Sequence, residues 1–319
     1  MSEHRIERIE GALLTRDDVL AAAERIRGRI HRTPTFTSQT LGEGVVLKAE
    51  LFQKTGAFKV RGVLNKLAAL SSEEKARGVI GISAGNHAQA LAWAAAAEGI
   101  DCLVVMWASA SAAKIEATRG YGASIDLEAE DPAAAFERLA ALSAETGRTL
   151  VHPFDDPVVI AGAGTVALEL LEDAPDTETI LVPAGGGGLV AGIAAAAPDR
   201  RVIAVEPARS TAVHSGLAAG RSVPVKTDSI ADGVSAPFAG EHALAILRAY
   251  EVESVLVSEA ELETAFRFLY ARAKLACEPA AALGVAAMLA GKVDGSGVAC
   301  VVSGGNVVAE TASAILAAR

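Results

Sequence analysis

Cysteine is scarce: Cys102, Cys277 and Cys300 are odd in number, far apart and set among apolar neighbours. They exclude a disulfide framework and a zinc site, and they read as reduced core residues. Aromatic residues are also few, 4% against a hydrophobic share of 51%, so the interior must be built from Ala, Val, Leu and Ile. Such interiors suit helices packed on a parallel sheet. Runs of Lys or Arg are missing, and the formal net charge is −10. Non-specific binding to nucleic acid or to an acidic membrane is thereby disfavoured, and a small molecule is the expected partner. The six histidines show no pair at metal-ligand spacing. The opening segment, MSEHRIERIEGALLTRDD, is charged throughout and lacks the apolar centre of a secretion signal, so a cytoplasmic protein is expected. Residues 179–197 are uncharged and long enough to suggest a membrane span, yet they contain Pro183, four consecutive glycines and Gly192. They read as strand, loop and helix.

The 319 residues exceed the usual single-domain size. Thr15, Asp17 and Asp18 predict a helix start, with Val19, Leu20, Ala23 and Ile26 as its apolar stripe ending near Gly28. A short strand is predicted at 45–47. Apolar runs at 79–82, 102–106, 124–127, 180–182, 202–205, 255–257 and 298–302 then alternate with helical patterns at 86–98, 112–119, 133–145, 158–172, 189–197, 259–274 and 280–289. This alternation predicts an α/β protein with open, mostly parallel sheets flanked by helices. The best internal boundary is the turn, short strand and HPFDDP segment between Gly147 and Asp156. Residues 65–151 are expected to form a smaller unit, and 1–64 with 152–319 a larger one. No appended regulatory domain is expected after the last strand and helix.

Lys59 follows a turn-forming Thr55-Gly56 pair and precedes an amphipathic run with Val60, Val63, Leu64 and Leu67 at helical spacing. Partial desolvation at such a loop-to-helix junction lowers a lysine pKa and frees an amine able to form a Schiff base. The neighbouring Lys54, Arg61 and Lys66 read as solvated cations. Gly185 to Gly188 follow the strand Ile180 to Pro183 and open a helix at Leu189. Backbone N–H groups converging at a helix N-terminus make a phosphate site, and without a following GK[ST] it is not a nucleotide P-loop. Ser83-Ala84-Gly85-Asn86-His87 and Ser303-Gly304-Gly305-Asn306 each follow a strand in the same way. Three such loops would converge on one sheet edge, where α/β proteins bind ligands. Gly162 to Ala167 match a loose dinucleotide fingerprint, but the run before it, Val158 to Ile160, is short for a strand. Small residues for close helix packing are the preferred explanation. Glu206 and Asp232 are either metal ligands or capping and turn residues, and no metal is assigned.

In this order, QKTGAFKVRG at 53–62, SAGNHAQA at 83–90, DDPVVIAGAGT at 155–165, PAGGGGL at 183–189, ADGV at 231–234, EPAA at 278–281 and SGGN at 303–306 resemble the fold type II pyridoxal-phosphate enzymes, in particular the threonine/serine dehydratases and serine racemases. The resemblance spans nearly the whole chain. It implies a tryptophan synthase β-like fold with a large domain binding pyridoxal 5′-phosphate and a small domain closing on substrate. It implies Lys59 as cofactor-bearing and catalytic residue, with Phe58 on one ring face and Gly233 near the other. Gly185, Gly186, Gly187, Gly188 and Leu189 would hold the phosphate, Asn86 the ring oxygen, Ser303 the pyridine nitrogen, and Glu278 would complete the cofactor site. Ser83, Gly85, Asn86 and His87 would take the substrate carboxylate. Glu206 matches one carboxylate of a family divalent-cation site, but the second position is Ala212 here, which argues against a divalent cation. The racemases carry a hydroxyl residue where this chain has Ala84. The implied reaction is β-elimination from L-threonine or L-serine to a 2-oxo acid and ammonia by a homodimer or homotetramer. Serine racemase, or a lyase for 3-hydroxyaspartate or phenylserine, is the alternative. Outside the class stand a nucleotide-dependent oxidoreductase using Gly162 to Ala167 and a non-catalytic binder of phosphorylated ligands. Phe154, Ser235 and Ala236 are expected around the pocket.

Overall fold

The computed structural model describes residues 13–318. Its strands are β1 (Thr35–Thr37), β2 (Val46–Ala49), β3 (Val79–Ile82), β4 (Cys102–Trp107), β5 (Ser124–Ala129), β6 (Thr149–Leu150), β7 (Thr179–Pro183), β8 (Arg201–Pro207), β9 (Glu253–Val257) and β10 (Val298–Val302). Its helices are α1 (Arg16–Ile26), α2 (Lys59–Ala69), α3 (Ser72–Arg77), α4 (Asn86–Glu98), α5 (Ala112–Gly120), α6 (Pro132–Thr146), α7 (Pro157–Asp173), α8 (Gly188–Ala196), α9 (Ala212–Ala219), α10 (Glu241–Ala249), α11 (Glu259–Phe268), α12 (Leu283–Leu289) and α13 (Ala309–Ala317). Among the described residues no helix is long and apolar enough to cross a membrane.

Two sheets result, ordered β1-β2-β10-β7-β8-β9 and β5-β4-β3-β6. All neighbours pair in parallel except β1, which runs antiparallel to β2 at the edge of the larger sheet. Both sheets are covered on both faces, and the strand period of two sorts their side chains. On β7, Ile180 and Val182 join one core cluster while Leu181 joins the other. On β3, Val79 faces one cluster of the smaller sheet, and Ile80 and Ile82 the opposite one.

Helix starts follow local chemistry where it exists. The Thr15 amide and hydroxyl both donate to Asp18 at 2.9 and 2.7 Å, opening α1. Its buried stripe is Val19, Ala22 and Ile26, whereas Leu20 is exposed, one position off the expected face. Asp156 caps α7 by accepting from Val158 N at 2.8 Å, with Pro157 as first helical residue. Val158 to Ile160 are therefore the first turn of α7 and not a strand. The glycines that follow serve helix packing: a Cβ on Gly164 would lie 2.4 Å from Gly192 O of α8, and one on Gly162 2.6 Å from Arg61 O of α2. The helix expected over 259–274 ends at Phe268 and continues as a π turn, Leu269–Ala273. That expected over 280–289 begins as a 3-10 turn, Pro279–Ala282, before α12. Helices α3, α9, α10 and α13 and strand β1 were not expected.

Of the cations around Lys59, Lys54 and Lys66 are partly exposed, but Arg61 is not solvated as expected. Arg61 is fully buried, because Glu50 accepts from its Nε and Nη2 at 2.8 Å each and Glu169 of α7 from Nη1 and Nη2 at 2.7 and 2.9 Å. Lys48 of β2, also fully buried, donates to Glu169 and to Thr33 O at 2.8 Å each. Burial works against the Glu169 carboxylate, but the hydrogen bonds and charge of Arg61 and then Lys48 hold its pKa below the usual value. Lys66 pairs with Asp156 at 2.7 Å, and the Lys54 ammonium lies 5.1 Å from the Trp93 ring centroid. Arg61→Met should destabilise the protein by about 3 kcal/mol or more, since Glu50 is left charged and buried without its partner. The urea midpoint reads this directly, and a shift of less than a third of that size would show that the network is dispensable.

Candidate active site

The ends of β3, β7 and β10 and the beginning of α2 face one cavity of about 460 Å³. Lys59 is the first residue of α2 and donates from Nζ to Pro153 O at 2.7 Å. Burial pushes its pKa down to about 8, against the opposing charge of Glu278. The Phe58 ring centroid is 5.1 Å from Nζ. The segment before the lysine is stitched to the loop after β10. Phe58 N donates to Ser303 O at 3.1 Å, Gly305 N to Gly56 O at 2.9 Å, and Asn306 Nδ2 to Thr55 O at 2.7 Å. Ser303 is itself buried at the cavity wall.

Gly185 to Gly188 turn β7 into α8 against crowded surroundings. A Cβ on Gly186 would lie 2.2 Å from the Phe154 ring, one on Gly188 2.6 Å from Phe154 O, and one on Gly185 2.7 Å from Val234 O. Gly187 has φ +93°, a conformation that disfavours any side chain. Tight packing and anion binding are therefore not rival readings of this loop. The same lack of side chains that admits Phe154 leaves the amides at the N-terminus of α8 facing the cavity. Among the described residues, no protein acceptor takes a hydrogen bond from the amides of Gly185 to Leu189.

Asn86, at the start of α4, donates from Nδ2 to both carboxylate oxygens of Glu278 at 2.8 and 3.0 Å, and its Oδ1 accepts from Asn306 Nδ2 at 2.9 Å. Glu278 is buried, and burial raises its pKa to about 7. Gly233 and Gly304 make room for it, since a Cβ on either would lie 3.2 and 2.6 Å from Glu278 Oε1. His87 turns inward: Nε2 is 2.8 Å from Val151 O, which fixes the proton there. Burial, then the charge of Lys59, pushes its pKa down to about 3. The imidazole thus stays neutral and is turned onto the backbone just after β6, leaving the amide as the part of His87 free to meet a carboxylate. Ser83 and Gly85 line the same cavity, as do Gly233, Leu189, Phe154, Ser235 and Ala236.

Glu206 lies outside this cavity. It is fully buried, and its two oxygens accept from Val213 N at 2.8 Å and His214 N at 2.7 Å, capping α9. Burial raises its pKa to about 8. Among the described residues no group of three or more His, Cys, Asp or Glu is placed to hold a metal ion. Asp232 pairs with Lys114.

The model of the family described as "Pyridoxal-phosphate dependent enzyme" matches residues 26–304. This chain belongs to that family. It is 41% identical over 306 residues to an L-threonine ammonia-lyase of Thermotoga maritima, covering 92% of this chain and 76% of the relative. To a catabolic L-threonine dehydratase of Staphylococcus aureus it is 41% identical over 305 residues, covering 91% and 88%. The solved structure of maize serine racemase superposes with a TM-score of 0.89 at 36% identity, over 94% of this chain and 96% of that one. The group that names the family needs an amine for its aldehyde and donors for its phosphate. Lys59, poised to lose its proton, and the acceptor-free amides of Gly185 to Leu189 meet both needs in one cavity.

Sequence reading did not name Trp107, Ser109, Ser111, Lys114 and Phe136, which also line the cavity. The available signal was position, because Ser109 and Ser111 follow the carboxyl end of β4, next to β3. In the cofactor-free protein, the neutral Lys59 amine prevails above about pH 8 instead of above the usual 10.5. Borohydride-fixed labelling of Lys59 by pyridoxal phosphate should therefore reach half its maximal rate near pH 8 and fall as pH drops. A midpoint above pH 10, followed by mass spectrometry of the labelled peptide, would contradict the desolvated site.

Proposed function

We propose that this protein is an ammonia-lyase that converts L-threonine or L-serine to a 2-oxo acid and ammonia with pyridoxal 5′-phosphate. The observation that carries the reading is Lys59 with its lowered pKa opposite the acceptor-free amides of the tetraglycine loop, within one cavity walled by the Ser83 to His87 loop. The relatives named as threonine ammonia-lyase and dehydratase support it. Bound pyridoxal phosphate supplies the electron sink that makes a substrate Cα proton removable. The assigned roles fall to this chain's residues. Lys59 would hold the cofactor and take the Cα proton, Phe58 and Gly233 would lie beside the ring, and Gly185 to Leu189 would hold the phosphate by backbone amides at a helix N-terminus. Ser303 would offer the ring nitrogen a neutral hydroxyl in place of an acidic partner. Asn86, oriented by Glu278, serves the ring oxygen, and the backbone of Ser83, Gly85, Asn86 and His87 receives the substrate carboxylate. Residues 65–151 act as the smaller, closing domain on the larger one formed by 1–64 and 152–319. Glu206 acts as a helix cap, so we assign no divalent cation to it. Cytoplasmic residence and assembly as a homodimer or homotetramer belong to the same proposal, and the exposed Phe36–Phe52 pair is apolar surface that an assembly would cover.

Purified holoenzyme should release 2-oxo acid from L-threonine, L-serine or both in a panel of β-hydroxy amino acids, and Lys59→Ala should abolish that release while keeping the fold by circular dichroism. Release from neither substrate, or near-normal release by the variant, would overturn the reading.

Racemisation needs a proton donor or acceptor on each face of a planar carbon, and Lys59 serves one face only. Ala84 lines the cavity with a methyl group that can neither give nor take a proton. Little or no D-serine should form from L-serine, and Ala84→Ser should introduce it at some cost in pyruvate. Chiral chromatography decides, with substantial D-serine from the unaltered protein favouring a racemase.

A further inference from the structure

The far wall of the cavity carries charge that the proposed chemistry does not use. Besides Lys59, its only cation among the described lining residues is Lys114, on α5 of the smaller sheet. His87 is held neutral there by burial. Lys114 forms an ion pair with Asp232, the first residue of the 3-10 turn Asp232–Val234 beside the larger sheet. The lysine side chain is 21% exposed and the aspartate 56%, so the pair sits at the mouth with its cation turned inward. Glu278 lies in the same region, since the charges of both Asp232 and Lys114 act on it. Two carboxyl groups and one cation thus face the space beyond Lys59, and the cation is already partnered.

An amino acid with a neutral hydroxymethyl or hydroxyethyl side chain meets no penalty there. One with a second carboxylate meets the like charge of Asp232 and finds no free counter-charge, which costs affinity. We propose that Asp232, by holding Lys114, excludes amino acids with acidic side chains, and that Lys114 once released would accept a second carboxylate. This rests on the amino-acid lyase reading above, and it separates threonine and serine from 3-hydroxyaspartate as substrates.

The test uses holoenzyme, Asp232→Asn and the double variant Asp232→Asn/Lys114→Met. Asparagine keeps the shape of the exposed aspartate and removes its charge. Calorimetric titration with malonate, which carries two carboxylates and cannot be turned over, should show binding to Asp232→Asn about tenfold tighter than to the unaltered protein, the size expected of one favourable charge pair at a partly solvated site. The gain should disappear in the double variant. In parallel, kcat/KM for L-threo-3-hydroxyaspartate relative to L-serine should rise by a similar factor in Asp232→Asn alone. Unchanged malonate affinity in Asp232→Asn overturns the proposal, and so does a gain that survives loss of Lys114. If the malonate series behaves as stated while no variant releases 2-oxo acid from serine or threonine, the charge assignment stands and the lyase reading fails.

Discussion

A buried guanidinium holds the reactive end of α2 in place. Arg61 lies two residues after Lys59, on the same first turn, and its donors are shared between Glu50 behind β2 and, on α7, Glu169 and the Thr165 hydroxyl. Such a cluster costs desolvation, and its return is directional: a planar fork satisfied by two carboxylates tolerates little rotation of the helix that carries it. The start of α2 is fastened a second time by the hydrogen bonds from residues 56–58 to the loop after β10. The Lys59 amine therefore emerges at one place relative to the carboxyl ends of β7 and β10.

Glu278 organises the opposite side. Segments far apart in the chain close on its carboxylate: Asn86 from the start of α4, Gly233 from the turn after α9, and Gly304 from the loop after β10. Each glycine stands where a side chain would collide with the carboxylate or its neighbours. The cavity is thus shaped by close approach of backbones, a consequence of an interior with few aromatic residues and many small ones. Phe154 is the counter-example, a large ring accommodated because Gly186 and Gly188 leave room for it.

Much of this was legible in one dimension. The alternation of apolar runs and amphipathic stretches reports a parallel α/β architecture because burial on both sheet faces demands it. Helix α4 was predicted to its bounds, since Gly85 before it and Gly99 after it are local signals. Two of the four missed helices, α9 and α10, are capped by Glu206 and Asp155, six and 86 positions upstream of their first residues Ala212 and Glu241. No local window contains the Asp155 cap. Arg61 was misread for the same reason, because a cation next to a reactive lysine looks solvated until Glu169 arrives from another helix.

What the sequence by itself determined was the set of elements and the chemistry available at their ends: an amine at a loop-to-helix junction, a glycine loop after a strand, and polar loops after two others. These depend on local propensity and on side-chain types, which are written in order along the chain. Only the tertiary structure decided the protonation and orientation of those groups. Burial lowers the pKa of Lys59 and keeps His87 neutral, and the meeting of Asn86 with Glu278 directs its amide. Electrostatic free energy depends on distance and solvent access, and both are set by which distant segments the fold brings together.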